Sequence, residues 1–465
     1  MIRITSLLTL FLLPLIIFAQ DISGQWNGVL KIQGAQLHLV FNVSATPEGL
    51  TATMDSPDQG AKDIPVSKVE FIAPNVVFEI TMAGISYQGV LKDNEIDGTF
   101  HQNGMKIPLK LTREAQEKVV VKRSQEPERP FPYYEEQVTF YNQAAGIRLA
   151  GTLTLPQKNG KFPAAILISG SGPQNRDEEI LGHKPFLVIA DHLTRHGYAV
   201  LRFDDRGTNL SEGDYQAATS MDFATDVESA FQYLLSRNEI KTKKIGLIGH
   251  SEGGLIAPLV AAKIKEIAFI ISLAGPGLPG DQILLLQQKL ISEKSGMDPD
   301  LIAQNKAINS TAFEMIKTTN DVNQLRSSLT AYLKDAIREL PTGTIPSNLS
   351  EDDFVRTLVS QTTTPWMVNF IRHDPAPVLE KVKCPVLALN GAKDVQVPAN
   401  ENISAIQTAL AKGKNKKVKT VIFPDLNHLF QECNTGLPAE YDTIDQTFAP
   451  VALDEMVNWL KKWVK

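Results

Sequence analysis

The pattern of apolar and polar residues changes once along this chain, near residue 134. Between residues 21 and 113 it favours short strands, because apolar residues recur at every second position in runs such as Gln36–Val43. Turn-forming groups, among them Pro47–Gly49 and Asp93–Asn94, separate these runs. We therefore predict a small antiparallel β domain over 21–113, with about eight strands closed into a barrel or sandwich.

From residue 135 to 465, short apolar runs alternate with amphipathic ones, which predicts an α/β domain with a largely parallel sheet. After an opening hairpin (137–140 and 147–155), the predicted central strands are 164–168, 199–203, 245–248, 268–273, 386–389 and 420–423. The predicted covering helices are 185–196, 221–236, 400–411 and 450–464.

A long insertion interrupts this alternation between the strands that end at Leu273 and begin at Val386. Within it Leu325, Leu329 and Leu333 recur at helical spacing. It would lie over the carboxyl ends of the strands, where open α/β sheets bind ligands. We therefore predict a helical cap at about 281–376.

The segment 114–134 is rich in charged residues and proline, which is typical of a linker between domains. At the N-terminus, Arg3 precedes the apolar run Leu7–Phe18, which ends before Asp21. This run is short for a transmembrane helix and contains Pro14, so we predict a signal peptide over 1–20 and no stable membrane anchor. The mature protein is then expected to be periplasmic or extracellular.

The charge balance bears on possible partners. The 46 basic and 52 acidic residues give a formal charge of −6, which argues against a nucleic-acid partner. The sequence supports no prediction of the oligomeric state.

The most informative chemical motif is Gly249-His250-Ser251-Glu252-Gly253, a G-x-S-x-G run. It follows the predicted strand 245–248 and precedes a helix-compatible run in which Pro258 predicts a kink. Glycines permit the tight strand-to-helix turn that exposes such a serine as a nucleophile. We therefore predict Ser251 as the nucleophile.

A serine nucleophile needs a base and an acid that orients the base, in the chain order Ser, Asp or Glu, His. Asp394 follows the strand 386–389 and His428 follows the strand 420–423, so these two residues are predicted as acid and base. Asp425 and Asp281 are alternative acids.

The other histidines fit these roles less well. His250 adjoins the nucleophile, but its side chain is expected to point away at the turn. His192 and His196 have the i, i+4 spacing of zinc ligands, but the glutamate of a metalloprotease helix is missing, so no metal site is predicted.

Acyl transfer also needs donors for the developing oxyanion. We predict the backbone N–H of Glu252, next to the nucleophile, and that of Ser171 in the glycine-rich loop after the strand 164–168, with Gly172 as the alternative to Ser171.

Several motifs together resemble those of one group, the bacterial α/β-hydrolase carboxylesterases of the EstD type. The motifs are Gly170–Glu178, Leu201–Gly207, Gly249–Gly254, Leu426–Gln431 and Pro438–Tyr441. The resemblance implies the α/β-hydrolase fold, a Ser251–His428–Asp394 triad and ester hydrolysis without a cofactor. It also suggests that Trp366 and Phe370 line an acyl pocket, although core packing explains them equally well.

The leading hypothesis is an exported serine esterase that acts on a small-molecule ester. The same residues would serve a serine peptidase, which we keep as an alternative. A third hypothesis, from another class, is a non-catalytic protein that binds carbohydrate or lipid on a hydrolase scaffold.

Overall fold

The structure is a computed structural model. It describes residues 21–32, 35–47, 49–57, 61–81, 84–102, 105–114, 123–340, 345 and 350–464. The predicted signal peptide at 1–20 lies outside the described residues. Within these ranges, no helix is both long and apolar enough to cross a membrane.

The N-terminal part, which we call the β unit, is one antiparallel sheet of nine strands. Its strand order is β4-β3-β2-β1-β9-β8-β7-β6-β5, and β3 approaches β5, so the sheet curls into a half-barrel. The strands are β1 (Gly24–Ile32), β2 (Ala35–Thr46), β3 (Gly49–Ser56), β4 (Ala61–Pro65), β5 (Lys68–Ile72), β6 (Asn75–Ile80), β7 (Ile85–Lys92), β8 (Glu95–Gln102) and β9 (Met105–Thr112).

Aromatic side chains fill the inside of the half-barrel. Phe41 and Phe78 stack with their ring centroids 4.7 Å apart, and Trp26 and Tyr87 are fully buried beside them. The Tyr87 hydroxyl lies within hydrogen-bond distance of the carbonyls of Ile96 (2.9 Å) and Leu109 (3.0 Å). The alternating apolar residues of these strands therefore supply one continuous core.

The C-terminal part, which we call the α/β unit, contains a mixed sheet of eight strands in the order β10-β11-β13-β12-β14-β15-β16-β17. β11 pairs antiparallel with β10 and with β13, and the other neighbouring strands of this sheet pair in parallel. The strands are β10 (Tyr134–Asn142), β11 (Ile147–Leu155), β12 (Phe162–Ile168), β13 (Ala199–Phe203), β14 (Ile240–His250), β15 (Ile270–Leu273), β16 (Val386–Gly391) and β17 (Val418–Phe423).

Helices cover both faces of this sheet, as the short apolar strands predict. Three helices pack on one face: α2 (Ser220–Leu235), α3 (Glu252–Lys263), which contains Pro258, and α10 (Ala399–Lys412). The opposite face packs against α1 (Pro185–Arg195) and α11 (Pro450–Trp463).

Within the described residues, six helices lie between β15 and β16, in the region of the predicted insertion. They are α4 (Gly280–Lys294), α5 (Pro299–Thr318), α6 (Val322–Arg338), α7 (Glu351–Thr362), α8 (Pro365–Arg372) and α9 (Ala376–Leu379). Buried Leu325, Leu329 and Leu333 form part of a hydrophobic cluster within this insertion. The helical spacing of these leucines thus reflects a core that is separate from that of the sheet.

The segment predicted as a linker makes buried contacts with the α/β unit. Arg123 is only 7% exposed, and its guanidinium donates hydrogen bonds to the carbonyls of Leu181, Asp442 and Ile444 at 2.7–3.0 Å. Two residues further on, the Gln125 side-chain oxygen accepts the N–H groups of Thr447 (2.6 Å) and Phe448 (2.9 Å). The chain is therefore anchored before it reaches β10.

This anchoring predicts unequal effects of two arginine substitutions in the same segment. Arg123→Ala leaves three carbonyls without their donor, which should cost about 2–5 kcal/mol of unfolding free energy. Arg129→Ala should lower the unfolding free energy by less than about 1 kcal/mol, because the Arg129 side chain is 67% exposed and paired with Glu135. Thermal unfolding followed by circular dichroism tests this, and equal midpoints for the two variants would contradict it.

Candidate active site

Ser251 occupies a sharp turn between β14 and α3, with backbone angles φ 50° and ψ −119° that are rare for a non-glycine residue. Two glycines make this turn possible. A Cβ on Gly249 would collide with the Gly253 carbonyl, and a Cβ on Gly253 would collide with the carbonyl of Ile168 in β12. The serine therefore lies at the carboxyl edge of the sheet, and it is only partly buried.

Asp394 and His428 meet in the loops after β16 and β17. The His428 Nδ1 lies 2.8 Å from the Asp394 Oδ2, and both residues are about 5% exposed or less. The other carboxylate oxygen of Asp394 accepts the N–H groups of Gln396 and Val397, each at 2.8 Å. With its carboxylate held on both sides, Asp394 fixes a proton on Nδ1 and leaves Nε2 as the basic nitrogen of the imidazole.

The two alternative acids bond to lysines instead. The Asp425 carboxylate lies 3.2 Å from the Lys393 Nζ and is largely exposed. The Asp281 carboxylate lies 2.8 Å from the Lys317 Nζ, on the helical insertion. Of the three candidate acids, Asp394 is the one that the structure brings to His428.

The loop after β12 lies against the serine. A Cβ on Gly170 would be 3.1 Å from the Ser251 Cβ, so this loop reaches the nucleophile position at van der Waals distance. The Gly172 N–H donates to the Tyr215 hydroxyl at 2.8 Å, whereas the Ser171 N–H has no hydrogen-bond partner within the described part of the chain. Of the two alternative donors in this loop, Ser171 is therefore the one whose N–H is available to an oxyanion.

The second predicted donor opens a helix. Glu252 is the first residue of α3, and the N–H at such a position has no carbonyl partner within its helix. The positive end of the helix dipole adds to its affinity for a negative charge. Its backbone can therefore stabilise an anion beside Ser251.

The Glu252 side chain turns into the protein and is 2% exposed. Its Oε1 accepts hydrogen bonds from the Ser220 hydroxyl (2.6 Å) and from the Trp366 indole N–H (2.8 Å). Burial raises the pKa of this carboxyl. Because Trp366 belongs to α8, this bond joins the helical insertion to the residue next to Ser251.

Another buried carboxyl supports the loop after β12. Asp205 accepts hydrogen bonds from the Ser169 hydroxyl (2.6 Å) and the Gln174 N–H (2.9 Å). Burial raises the pKa of Asp205 well above its usual range, and the neighbouring Glu252 and Glu178 carboxyls add to this rise. Sequence reasoning assigns no role to the side chains of these acids, although they fall in the motifs that carry the EstD-type resemblance.

The expected orientation of His250 is wrong. Its ring faces the His428 loop, with the two ring centroids 4.9 Å apart, and the residue is 6% exposed. The strained turn at Ser251 reverses the chain after His250, so the two neighbouring side chains need not diverge as they do along a strand. No local pattern predicts this orientation, because the paths of the loops 169–178 and 424–430 determine it.

His192 in α1 and His196, which follows the end of this helix, contact each other and their surroundings. Their rings lie 4.5 Å apart, the His192 Nε2 is 3.6 Å from Asp454, and His196 Nδ1 is 2.7 Å from the His192 carbonyl oxygen. Across the residues that the structure describes, no group of three His, Cys, Asp or Glu side chains is placed to hold a metal ion.

Comparison with known proteins places this geometry in a family context. The family model described as X-Pro dipeptidyl-peptidase (S15 family) matches residues 145–428, which include Ser251, Asp394 and His428. Esterase EstD of Thermotoga maritima is 26% identical over 344 residues, or 73% of this chain and 72% of the relative. The peroxisomal succinyl-coenzyme A thioesterase of Mus musculus is 27% identical over 146 residues, or 31% of each chain.

Among solved structures, an esterase of Pyrococcus furiosus matches with 18% identity and a TM-score of 0.42, over 72% of this chain and 94% of that one. The sequence relatives confirm the predicted resemblance to EstD. The family model covers more than half of the chain, so this protein belongs to the X-Pro dipeptidyl-peptidase (S15) family.

Proposed function

We propose that this protein is a serine hydrolase that cleaves carboxylic esters through an acyl-enzyme. The observation that carries the proposal is the 2.8 Å hydrogen bond between His428 and Asp394, on loops at the same sheet edge as the strained Ser251. A buried imidazole with an oriented carboxylate is what a serine needs to lose its proton near neutral pH.

In the proposed reaction the Ser251 hydroxyl attacks the ester carbonyl and His428 Nε2 accepts its proton. Asp394 stabilises the imidazolium that forms, and the N–H groups of Ser171 and Glu252 bind the oxyanion. The imidazolium then protonates the leaving alcohol. Water, deprotonated by His428, releases the acid and regenerates the serine.

The likeness to esterase EstD favours an ester as the substrate, whereas the family description favours a peptide. Both reactions use the same groups, so a peptidase is the second candidate. The non-catalytic alternative is disfavoured because an acid, a base and a strained serine are all present in the order that such hydrolases use.

We further propose that the helices α4–α9 act as a cap over the site. Apolar residues of the insertion pack against residues beside the catalytic loops, forming a cluster of Leu255, Ile283, Phe370 and Val397. Trp366 stacks on Phe370 with the ring centroids 5.1 Å apart. Such a wall would exclude water and accept an acyl chain.

Ester turnover provides the first test. We expect the mature protein to hydrolyse p-nitrophenyl acetate and longer acyl esters, and Ser251→Ala to lose about 10⁴-fold or more of kcat. Ser404→Ala, at an exposed serine of α10, is the matched control and should retain full activity. Preferential turnover of an X-Pro p-nitroanilide would favour the peptidase, and a folded protein inactive on both would refute the proposal.

The hydrogen bond between Trp366 of the proposed cap and Glu252, the residue after Ser251, provides a second test. Trp366→Phe keeps an aromatic ring next to Phe370 but removes the donor to Glu252, a loss worth about 1 kcal/mol. We expect kcat for a p-nitrophenyl ester to fall about 3–10-fold. Trp459→Phe makes the same change on α11, where the buried indole N–H has no hydrogen-bond partner within the described residues. That control should keep its kcat, and equal losses would argue against the proposed link.

We also propose that residues 1–20 direct export and are removed. Expression of the full chain in a bacterial host, followed by fractionation and mass spectrometry, should recover a periplasmic or secreted protein that begins at or next to Asp21. Leu12→Arg places a charge in the apolar run and should leave the uncleaved chain in the cytoplasm. Recovery of the unsubstituted chain from the cytoplasm with its N-terminus intact would contradict export.

A further inference from the structure

A buried hydrogen-bond network formed by Glu178 and His250 lies beside the candidate triad and has no part in the reaction as proposed above. The His250 Nε2 lies 3.0 Å from the His428 backbone carbonyl oxygen, and the His250 Nδ1 lies 2.9 Å from the Glu178 Oε1. Glu178 is 3% exposed and His250 is 6% exposed. This network therefore joins the loop after β12 to the loop after β17 through His250, the last residue of β14.

The same Glu178 oxygen also accepts the Gly170 N–H at 2.7 Å. Gly170 is the residue whose Cβ would contact the Ser251 Cβ, and it precedes the proposed oxyanion donor Ser171. One carboxylate oxygen thus bonds both to His250 and to the loop after β12, which carries Ser171 and is called the oxyanion loop below. The other oxygen is buried without a hydrogen-bond partner in the described part of the chain, so these two bonds compensate for burying the charge.

The partners of His250 determine one proton position on its ring. A carbonyl oxygen only accepts, so the Nε2 that faces the His428 carbonyl carries a proton. Burial disfavours the imidazolium, but the Glu178 carboxylate outweighs burial and the pKa of His250 is raised, with smaller contributions from the His428 carbonyl and from Asp394. Glu178 and His250 therefore form a buried hydrogen-bonded pair.

We propose that Glu178 and His250 are positioning residues of the active site: together they set the place of the His428 loop and of the oxyanion loop relative to Ser251. This inference rests on the proposed function. Asp394 fixes the His428 side chain at Nδ1, while His250 fixes its backbone at the carbonyl oxygen. The base is thereby held at two points.

The geometry explains why such a pair matters for turnover. The base and the oxyanion donors come from different loops, and nothing in the covalent structure fixes their separation. A misplacement of about 1 Å between reacting groups costs about 10²-fold in rate. A single rigid pair that bonds to both loops removes this freedom, and because it touches no reacting atom its loss should change kcat rather than KM.

The experiment compares His250→Ala, His250→Gln and Glu178→Gln with the unsubstituted protein and Ser251→Ala on p-nitrophenyl acetate. His183→Ala is the matched control, because His183 is also fully buried, with Nε2 2.7 Å from the Tyr441 carbonyl oxygen and Nδ1 3.0 Å from the Thr447 hydroxyl. Circular dichroism and thermal unfolding establish that each variant is folded at the assay temperature.

We expect His250→Ala and Glu178→Gln to lower kcat about 10–100-fold while KM changes less than about threefold. The rate of inactivation by diethyl p-nitrophenyl phosphate, which also needs the base and the oxyanion donors, should fall in parallel. His250→Gln should recover part of kcat, because its amide N–H can still donate to the His428 carbonyl. His183→Ala should lose stability and keep kcat.

Two kinds of result would overturn the inference. If kcat in His250→Ala and Glu178→Gln stays within about twofold of the unsubstituted protein, or falls no further than in His183→Ala, the pair only packs the core. If His250→Ala does not fold, Glu178→Gln decides by the same criteria. An unsubstituted protein that is folded but inactive on esters would instead refute the proposed function, and the positioning role with it.

Discussion

The close approach of three backbone segments at Ser251 is the constraint on which the site depends. The end of β14, the start of α3 and the carbonyl end of β12 meet where Gly249 and Gly253 leave no room for side chains. A turn this tight exposes the serine but cannot supply its partners. They must come from loops of neighbouring strands, and the strand order β12-β14-β15-β16-β17 brings those loops to the same edge.

The second notable property of the site is the number of carboxyl groups buried around it. Glu178 and Glu252 are almost fully buried and Asp205 is partly buried, and each accepts two hydrogen bonds from neighbouring segments. Buried carboxylates without such partners would be very costly, so the loops can hardly move without breaking the bonds. These three acids thus hold the segments around Ser251 in place through hydrogen bonds, while Asp394 bonds to the base His428 itself.

Much of this architecture follows from sequence periodicity. The buried strands of the α/β unit were predictable because both of their faces are apolar, and the G-x-S-x-G turn because its glycines are sterically required. The strands of the β unit are harder to predict, because Ser56 in β3 and Gly98 in β8 stand where the alternation calls for an apolar residue. β14 also begins before its predicted start, since exposed Lys241 and Lys243 lie in its first part.

The functional loops were predictable in position but not in path. Its place after a late strand favours Asp394 over Asp425 as the acid, yet the pairing of Asp425 with Lys393 depends on how two loops fold together. The orientation of His250 depends on its contacts with Glu178 and His428, which lie 72 and 178 positions away along the chain. No local pattern encodes contacts of that kind, because they arise only after the sheet has formed.

The anchoring of Arg123 and Gln125 changes where the α/β unit begins as a folding unit. Apart from the Leu181 carbonyl, their partners lie between Asp442 and Phe448, and the preceding residue Tyr441 bonds through its hydroxyl to Gln396, near Asp394. A chain cut at the start of β10 would keep every strand and helix of the unit. It would nevertheless expose the carbonyl and N–H groups that these two side chains satisfy. The α/β unit therefore includes Arg123 and Gln125, upstream of the change in periodicity.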